Sequence, residues 1–184
     1  MAGLGNPGPQ YTGTFHNLGA DVVHVLTERH GGRLKRTRHR AMADEVRMSG
    51  HRVALAFPLT FMNESGQAVG ALMRWYGIGD PARLIVVHDE LDLEPGRLKV
   101  KVGGGLAGHN GLRSIANHLG SQDFLRVRIG VGKPPSSDRG ADHVLGRIPR
   151  RLREEMSTVV QEAADCVETL VAEGPVVAMD RHNR

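Results

Sequence analysis

The sequence predicts an α/β fold, a single domain built on a mixed, twisted β-sheet flanked by α-helices. Three observations carry this expectation. Short apolar runs alternate with stretches of helical periodicity. The apolar runs end in polar residues, as buried strands do where loops carry function. The 184-residue chain shows no internal repeat and no linker, and it is long enough to bury one core.

The elements follow in order. The opening "GLGNPG", residues 3–8, satisfies G-x-G-x-x-G. A dinucleotide loop needs a strand before it and a helix starting within it. Only Met1 and Ala2 precede Gly3, and "PQYTGTFHN" follows Gly8, so the motif reads as a strand running into a tight Asn-Pro-Gly turn. Residues 17–30 set Leu18, Val22, Val23 and Leu26 on one helical face, ended by Gly31 and Gly32. "RLKRTRHR" (33–40) holds five Lys/Arg in eight positions and reads as a solvated loop or as part of a polyanion footprint.

"RVALAFP" (52–58) and "RLIVVHD" (83–89) are strand-like, with a helix over 64–77 between them. Leu98, Val100 and Val102 alternate with Lys99 and Lys101, giving a strand with one basic face. A helix over 110–119 precedes "FLRVRIGVG" (124–132), where Arg126 and Arg128 oppose Val127 and Ile129. "KPPSSDRGAD" (133–142) reads as a flexible loop by composition. The last helix, 149–173, is the clearest, with Leu152, Met156, Val159, Val160, Ala163, Val167, Leu170 and Val171 in register. Cys166 flanks that face and reads as a packing residue.

Composition bounds the function. The 24 Lys+Arg against 20 Asp+Glu give a net charge of +4, which permits a polyanionic partner. With 4% aromatics, a stacking platform for single-stranded bases is not expected. One cysteine excludes an internal disulfide framework, and neither a membrane span nor a signal peptide is recognisable, so the cytoplasm is the expected location.

Polar residues gather at the breaks between elements. "TFHN" supplies His16 and Asn17, "LTFMNESG" Asn63, "HDELD" His88, Asp89, Glu90 and Asp92, and "GGGLAGHNG" His109 and Asn110. Each Asn could be a helix N-cap, and Asn6 could serve only its own turn. Taken together they offer amide donors and acceptors suited to a peptide backbone, beside a histidine and an acid suited to general-base catalysis. No G-x-S-x-G elbow is present, so such a histidine would activate water directly, worth about 10²–10⁴ in rate. An Asn donor could add roughly 3–4 kcal/mol by stabilising an oxyanion. No H-x-x-x-H or C-x-x-C spacing supports a metal site at His88, Asp89 and Asp92, and no G-K-[ST] follows Gly103–Gly105, so no cofactor is expected.

"GLGNPGPQYTGTFHNLG", "PLTFMNESG", "HDELDLEPGRLKVKVGGGLAGHNGLRSI" and "DFLRVRIGVGKP", in this order over residues 3–134, resemble the bacterial-type peptidyl-tRNA hydrolases. The resemblance implies a peptidyl-tRNA hydrolase-like, phosphorylase/hydrolase-like fold over 1–184. It also implies a metal-free, mainly monomeric enzyme that cleaves the ester joining a peptide to the 3′ ribose of tRNA and recycles tRNA in translation. On matching positions, His16 would be the catalytic base and Asp89 its orienting partner. Asn6, Asn63 and Asn110 would hold the peptide end and the water, and Asn17 would join the substrate-binding set. Met62 and Tyr11 would line the cleft, with His109 supporting its wall. Lys101 and Arg128, with Lys99 as a weaker third, would clamp the tRNA 5′ phosphate.

The sequence departs from the family pattern at three places. Phe15 stands where the family carries Arg, and Ala107 where it carries Gly. Almost no apolar residues precede "GLGNPG", so a truncated first strand is expected. The rival readings are a tRNA-binding module without hydrolysis and a metal-free esterase or amidase for small substrates.

Overall fold

A computed structural model describes residues 1–183, the side chain of Ser137 excepted. Seven strands form one mixed sheet: β1 (Ala2–Gly3), β2 (Lys35–Arg36), β3 (Ala41–Met48), β4 (His51–Pro58), β5 (Ile85–Glu90), β6 (Leu98–Val102) and β7 (Leu125–Gly130). Their order is β2-β3-β4-β1-β5-β7-β6. The centre, β4-β1-β5-β7, is parallel, and β2, β3 and β6 attach antiparallel. The helices are α1 (Leu18–Arg29), α2 (Ser65–Trp75), α3 (Asn110–Leu119), α4 (Gly140–Leu145), α5 (Arg153–Glu173) and α6 (Pro175–His182).

Alternation along the central strands sorts the residues onto two covered faces. Ile85, Val87, Val127 and Ile129 pack with Val22, Leu26, Met156, Val160 and Ala178 of α1, α5 and α6. Val86 packs with Val69, Met73, Leu112 and Ile115 of α2 and α3. Toward the β6–β7 edge the α2/α3 face gives way to Lys99, Lys101, Arg126 and Arg128, which alternate with Leu98, Val100, Val127 and Ile129. The basic face read from the sequence is therefore present.

Gly3 and Gly19 let α1 lie directly on the sheet. A Cβ on Gly3 would stand 1.9 Å from Gly19 O, and one on Gly19 would stand 2.3 Å from Val87 O and 2.5 Å from Leu4 N. The opening glycine motif thus serves helix–strand contact and a turn; α1 starts only at Leu18. β1 is two residues long, and Leu4 N extends its pairing by donating to Val87 O.

The four predicted long helices and five predicted strands are all present within a few residues, the first strand as the two-residue β1. Four elements differ from the sequence reading. Residues 133–142 are not wholly loop: a 3₁₀ turn at Ser137–Arg139 leads into α4, whose Val144 is buried. A six-residue helix is too short to show helical periodicity. Part of the basic run 33–40 is edge strand β2. β3 was not expected, because its burial changes face midway. Ala41 and Ala43 pack toward α2, while Val46 and Met48 pack into the α1/α5 core, so no single alternation runs through it. α6, entered through Gly174-Pro175, buries only Ala178 and left no periodic signal.

Candidate active site

β1 and β5 are neighbours, and their connections leave toward opposite sides of the sheet: β1 leads through α1 to β2–β4, and β5 leads through β6 and α3 to β7. A crevice opens where such strands end. It is a cleft of about 520 Å³ lined by Asn6, Tyr11, His16, Met62, Asn63, Asp89, His109 and Asn110, and also by Phe61, Glu90, Leu91, Ala107, Gly108 and residues of α4.

Asp89 lies at the end of β5 and is buried. His16, in a 3₁₀ turn leading into α1, comes from one side, and His109, preceding α3, from the other. His16 Nδ1 lies 2.8 and 2.9 Å from the two carboxylate oxygens, and His109 Nε2 lies 3.0 Å from Oδ1. Burial alone would raise the Asp89 pKa. The two histidines, through charge and hydrogen bonds, instead hold it well below the usual carboxylate range.

The tautomers follow from the partners. His109 Nδ1 accepts from Gly111 N at 3.2 Å and Leu112 N at 3.4 Å, capping α3, so its proton resides on Nε2 and is donated to Asp89. An ionised Asp89 accepts only, so His16 Nδ1 donates to it, leaving the His16 Nε2 lone pair available. His16, Asp89 and His109 also form a cluster whose ligand atoms lie within 4.8 Å of one another. In this bonding pattern the histidine nitrogens facing the carboxylate carry protons, and a metal would have to displace them.

Asn6 is fixed on three sides. Asn17 Oδ1 accepts from Asn6 N at 2.8 Å, and Asn17 Nδ2 donates to Asn6 O at 3.0 Å. Asn6 Oδ1 accepts from Met62 N at 2.7 Å. Its Nδ2 has no hydrogen-bond partner among the described residues. Asn17 therefore acts on the Asn6 backbone, and it is not among the residues lining the cleft. It occupies the α1 cap position without a side-chain cap bond, and the α3 cap is His109 rather than Asn110. Asn63 and Asn110 are exposed on the cleft wall, and Met62 is buried beneath it.

Toward the β6–β7 edge, Lys99 is exposed, Lys101 Nζ donates to Gly105 O at 3.4 Å, and Arg128 Nε donates to Glu90 Oε2 at 3.0 Å. Arg128 is thereby tied to a residue of the cleft wall. Arg126, not singled out from the sequence, is buried and donates to Gly105 O, Gly104 O and Gln122 O at 2.6, 2.7 and 3.2 Å. It anchors the glycine-rich loop. Ala107 in that loop has φ 50°, a left-handed conformation in which glycine carries no steric penalty. Phe15 is buried and stacks on His143 of α4, with centroids 5.1 Å apart, linking the His16 turn to the helix across the cleft. Phe61, 54% exposed at the cleft mouth, is a wall residue that an apolar residue next to Met62 and Asn63 could have signalled.

Fold and site together define an α/β protein whose buried carboxylate orients a histidine toward a cleft, an arrangement suited to general-base chemistry. The chain belongs to the peptidyl-tRNA hydrolase family, whose model matches residues 1–184. It is 50% identical to a peptidyl-tRNA hydrolase of Frankia alni over 183 residues, covering all of this chain and 92% of that one. It is 49% identical to one of Mycolicibacterium vanbaalenii over 177 residues, covering 95% and 91%. Among solved structures, the peptidyl-tRNA hydrolase of Acinetobacter baumannii superposes with a TM-score of 0.92 at 39% identity, over 99% of this chain and 92% of that one. A peptidyl-tRNA hydrolase complexed with N-propanol gives 0.93 at 39% identity, with the same coverage.

Proposed function

We propose that the chain hydrolyses the ester between the peptide and the 3′ ribose of peptidyl-tRNA, returning free tRNA and peptide. The reading rests on family membership over the whole chain. The observation that carries its mechanism is the Asp89 contact that pins His16 Nδ1. His16 Nε2 takes a proton from water, whose oxygen attacks the ester carbonyl. The tetrahedral intermediate collapses with cleavage of the C–O bond, and the imidazolium returns its proton to the departing ribose oxygen. Asp89 supports the imidazolium in between. Asn6 Nδ2 is the donor placed to meet the developing oxyanion, and Asn63, Asn110, Tyr11 and Met62 hold the peptide end and the water.

Lys101 and Arg128, with Lys99 beside them, take the tRNA 5′ phosphate. Such contacts confer affinity without base sequence, as an enzyme acting on all tRNAs requires. The reaction so written uses no metal, and one chain supplies every group, so the enzyme acts as a monomer, in the cytoplasm where translation occurs. No described helix is long and apolar enough to cross a membrane.

Incubation of the protein and a chelator with N-acetylaminoacyl-tRNA and, separately, with free aminoacyl-tRNA tests the reading. Release of the acetylated amino acid with free aminoacyl-tRNA spared is expected. A folded protein that binds tRNA without cleaving it would point to a binding module. Cleavage of small esters with no tRNA preference would point to a general esterase.

A further inference from the structure

The positive net charge of the chain resides in eight residues. Residues 33–40 hold five Lys/Arg and no acid, while the rest of the chain carries 19 Lys/Arg against 20 Asp/Glu. This run is held on a fixed frame. Lys35 and Arg36 form β2, paired with Ala43 and Met42 at the outer edge of the sheet. Thr37 then locks the turn: its N and its Oγ1 each donate to Ala41 O at 2.9 Å, and its Oγ1 accepts from His39 N at 3.1 Å.

Arg33, Lys35, Arg36 and Arg38 are exposed, and their side chains have no acidic partner among the described residues, although Arg33 N donates to Asp44 Oδ2 at 2.6 Å; of the five cationic side chains only Arg40 approaches an acid, Glu64 at 4.0 Å. The Arg38 guanidinium lies over the Trp75 ring at 4.5 Å, with the His39 ring 5.1 Å away. Trp75 is nevertheless 57% exposed. Cations beside a half-exposed aromatic ring are the two parts of a single-strand nucleic-acid site: phosphates meet the cations, and a base stacks on the ring. A duplex or an acidic peptide would use the charge and leave the ring idle.

We propose that β2, its turn and Trp75 bind an unpaired segment of an RNA other than the tRNA being cleaved. β2 and β6 are opposite edges of the sheet, some 30 Å apart at about 4.8 Å per strand. The assignment to a separate RNA rests on the reading above, in which Lys101 and Arg128 hold the acceptor end at the far edge. The RNA surface itself does not depend on that reading.

Trp75 is the only tryptophan of the chain, so its emission reports on this site alone. The full chain is titrated with an oligouridylate of about 12 nucleotides, beside a variant carrying Lys35→Gln, Arg36→Gln and Arg38→Gln. Saturable quenching is expected, with log affinity falling against log salt at a slope of about −2, as three phosphate contacts give on single strands. The variant should bind at least tenfold more weakly while hydrolysing an N-acetylaminoacyl minihelix at the normal rate, which also shows that it is folded. An unacylated acceptor minihelix should leave the oligonucleotide bound.

Absence of quenching by the wild type, or equal quenching in the variant, would overturn the proposal. So would displacement by the minihelix, or equal quenching by polyglutamate or an RNA duplex. Loss of hydrolysis with intact quenching would instead sink the catalytic reading and leave this surface standing.

Discussion

Replacing His88 with Asn should remove much of the acid sensitivity of the fold. The His88 side chain lies on β5 facing α3, buried; its Nδ1 donates to Asp89 O at 2.7 Å, and its Nε2 has no hydrogen-bond partner among the described residues. The ring meets His109 edge-on at 4.8 Å. Burial pushes its pKa down from 6.5 to about 3, and His109 beside it acts in the same direction. The unfolded chain therefore takes up a proton near pH 6.5, and the folded chain does not until about pH 3. Stability from the neutral ring is fully present above pH 6.5 and is lost as pH falls through that window, at about 1.4 kcal/mol per pH unit. Between pH 7 and pH 5 the loss is about 2 kcal/mol.

Asn can still donate to the Asp89 carbonyl and does not titrate, so its packing loss is the same at every pH. Asp21, whose carboxyl burial raises to about 6, and Asp89 are common to both proteins and cancel in the difference. Urea unfolding at pH 7, 6 and 5 reads that difference directly. The wild type should lose about 2 kcal/mol relative to His88→Asn over this range. Parallel stability curves would refute the linkage.

Three further outcomes are expected. Asp89→Asn removes the carboxylate shared by His16 and His109, and kcat on N-acetylaminoacyl-tRNA should fall by about 10³–10⁴ with little change in KM; a loss under tenfold would contradict the orienting role. Asn17→Ala removes both bonds to the Asn6 backbone, and should cost about 1–2 kcal/mol in urea unfolding together with a fall in kcat. Asn17→Asp keeps the acceptor and should recover part of the activity, and a fully active Asn17→Ala would show that Asn6 needs no such clamp. The Cys166 thiol, buried and pushed up to about 12, should resist aromatic disulfide reagents in the native protein and react in urea; rapid native labelling would contradict its place in the core.

Legibility in the sequence tracked how much each element depends on distant parts of the chain. α5 carried its own periodic face, and β6 and β7 their own alternation, so the basic face at their edge could be read locally. β3 could not, because α2 covers one half of it and α1 and α5 the other half of the opposite face. In the cleft, the polar residues at strand ends were visible as types, but which histidine meets Asp89 is a fact of topology: His16 and His109 lie 73 and 20 residues from it. Asn17 reads from the sequence as part of the substrate-binding set, and its bonds to the Asn6 backbone across 11 residues carry no local sequence signal. Arg126 read as one more cation on a basic face, yet it is buried under three carbonyls of the glycine-rich loop and its base.

The central claim is that His16, oriented by Asp89, activates the water that cleaves peptidyl-tRNA. Single-turnover hydrolysis of N-acetylaminoacyl-tRNA by His16→Ala, with tRNA affinity measured on the same preparation, tests it most directly. The account predicts a rate lower by at least about 10² with tRNA binding unchanged. Cleavage near the wild-type rate by the folded variant would contradict it and place the base elsewhere in the cleft.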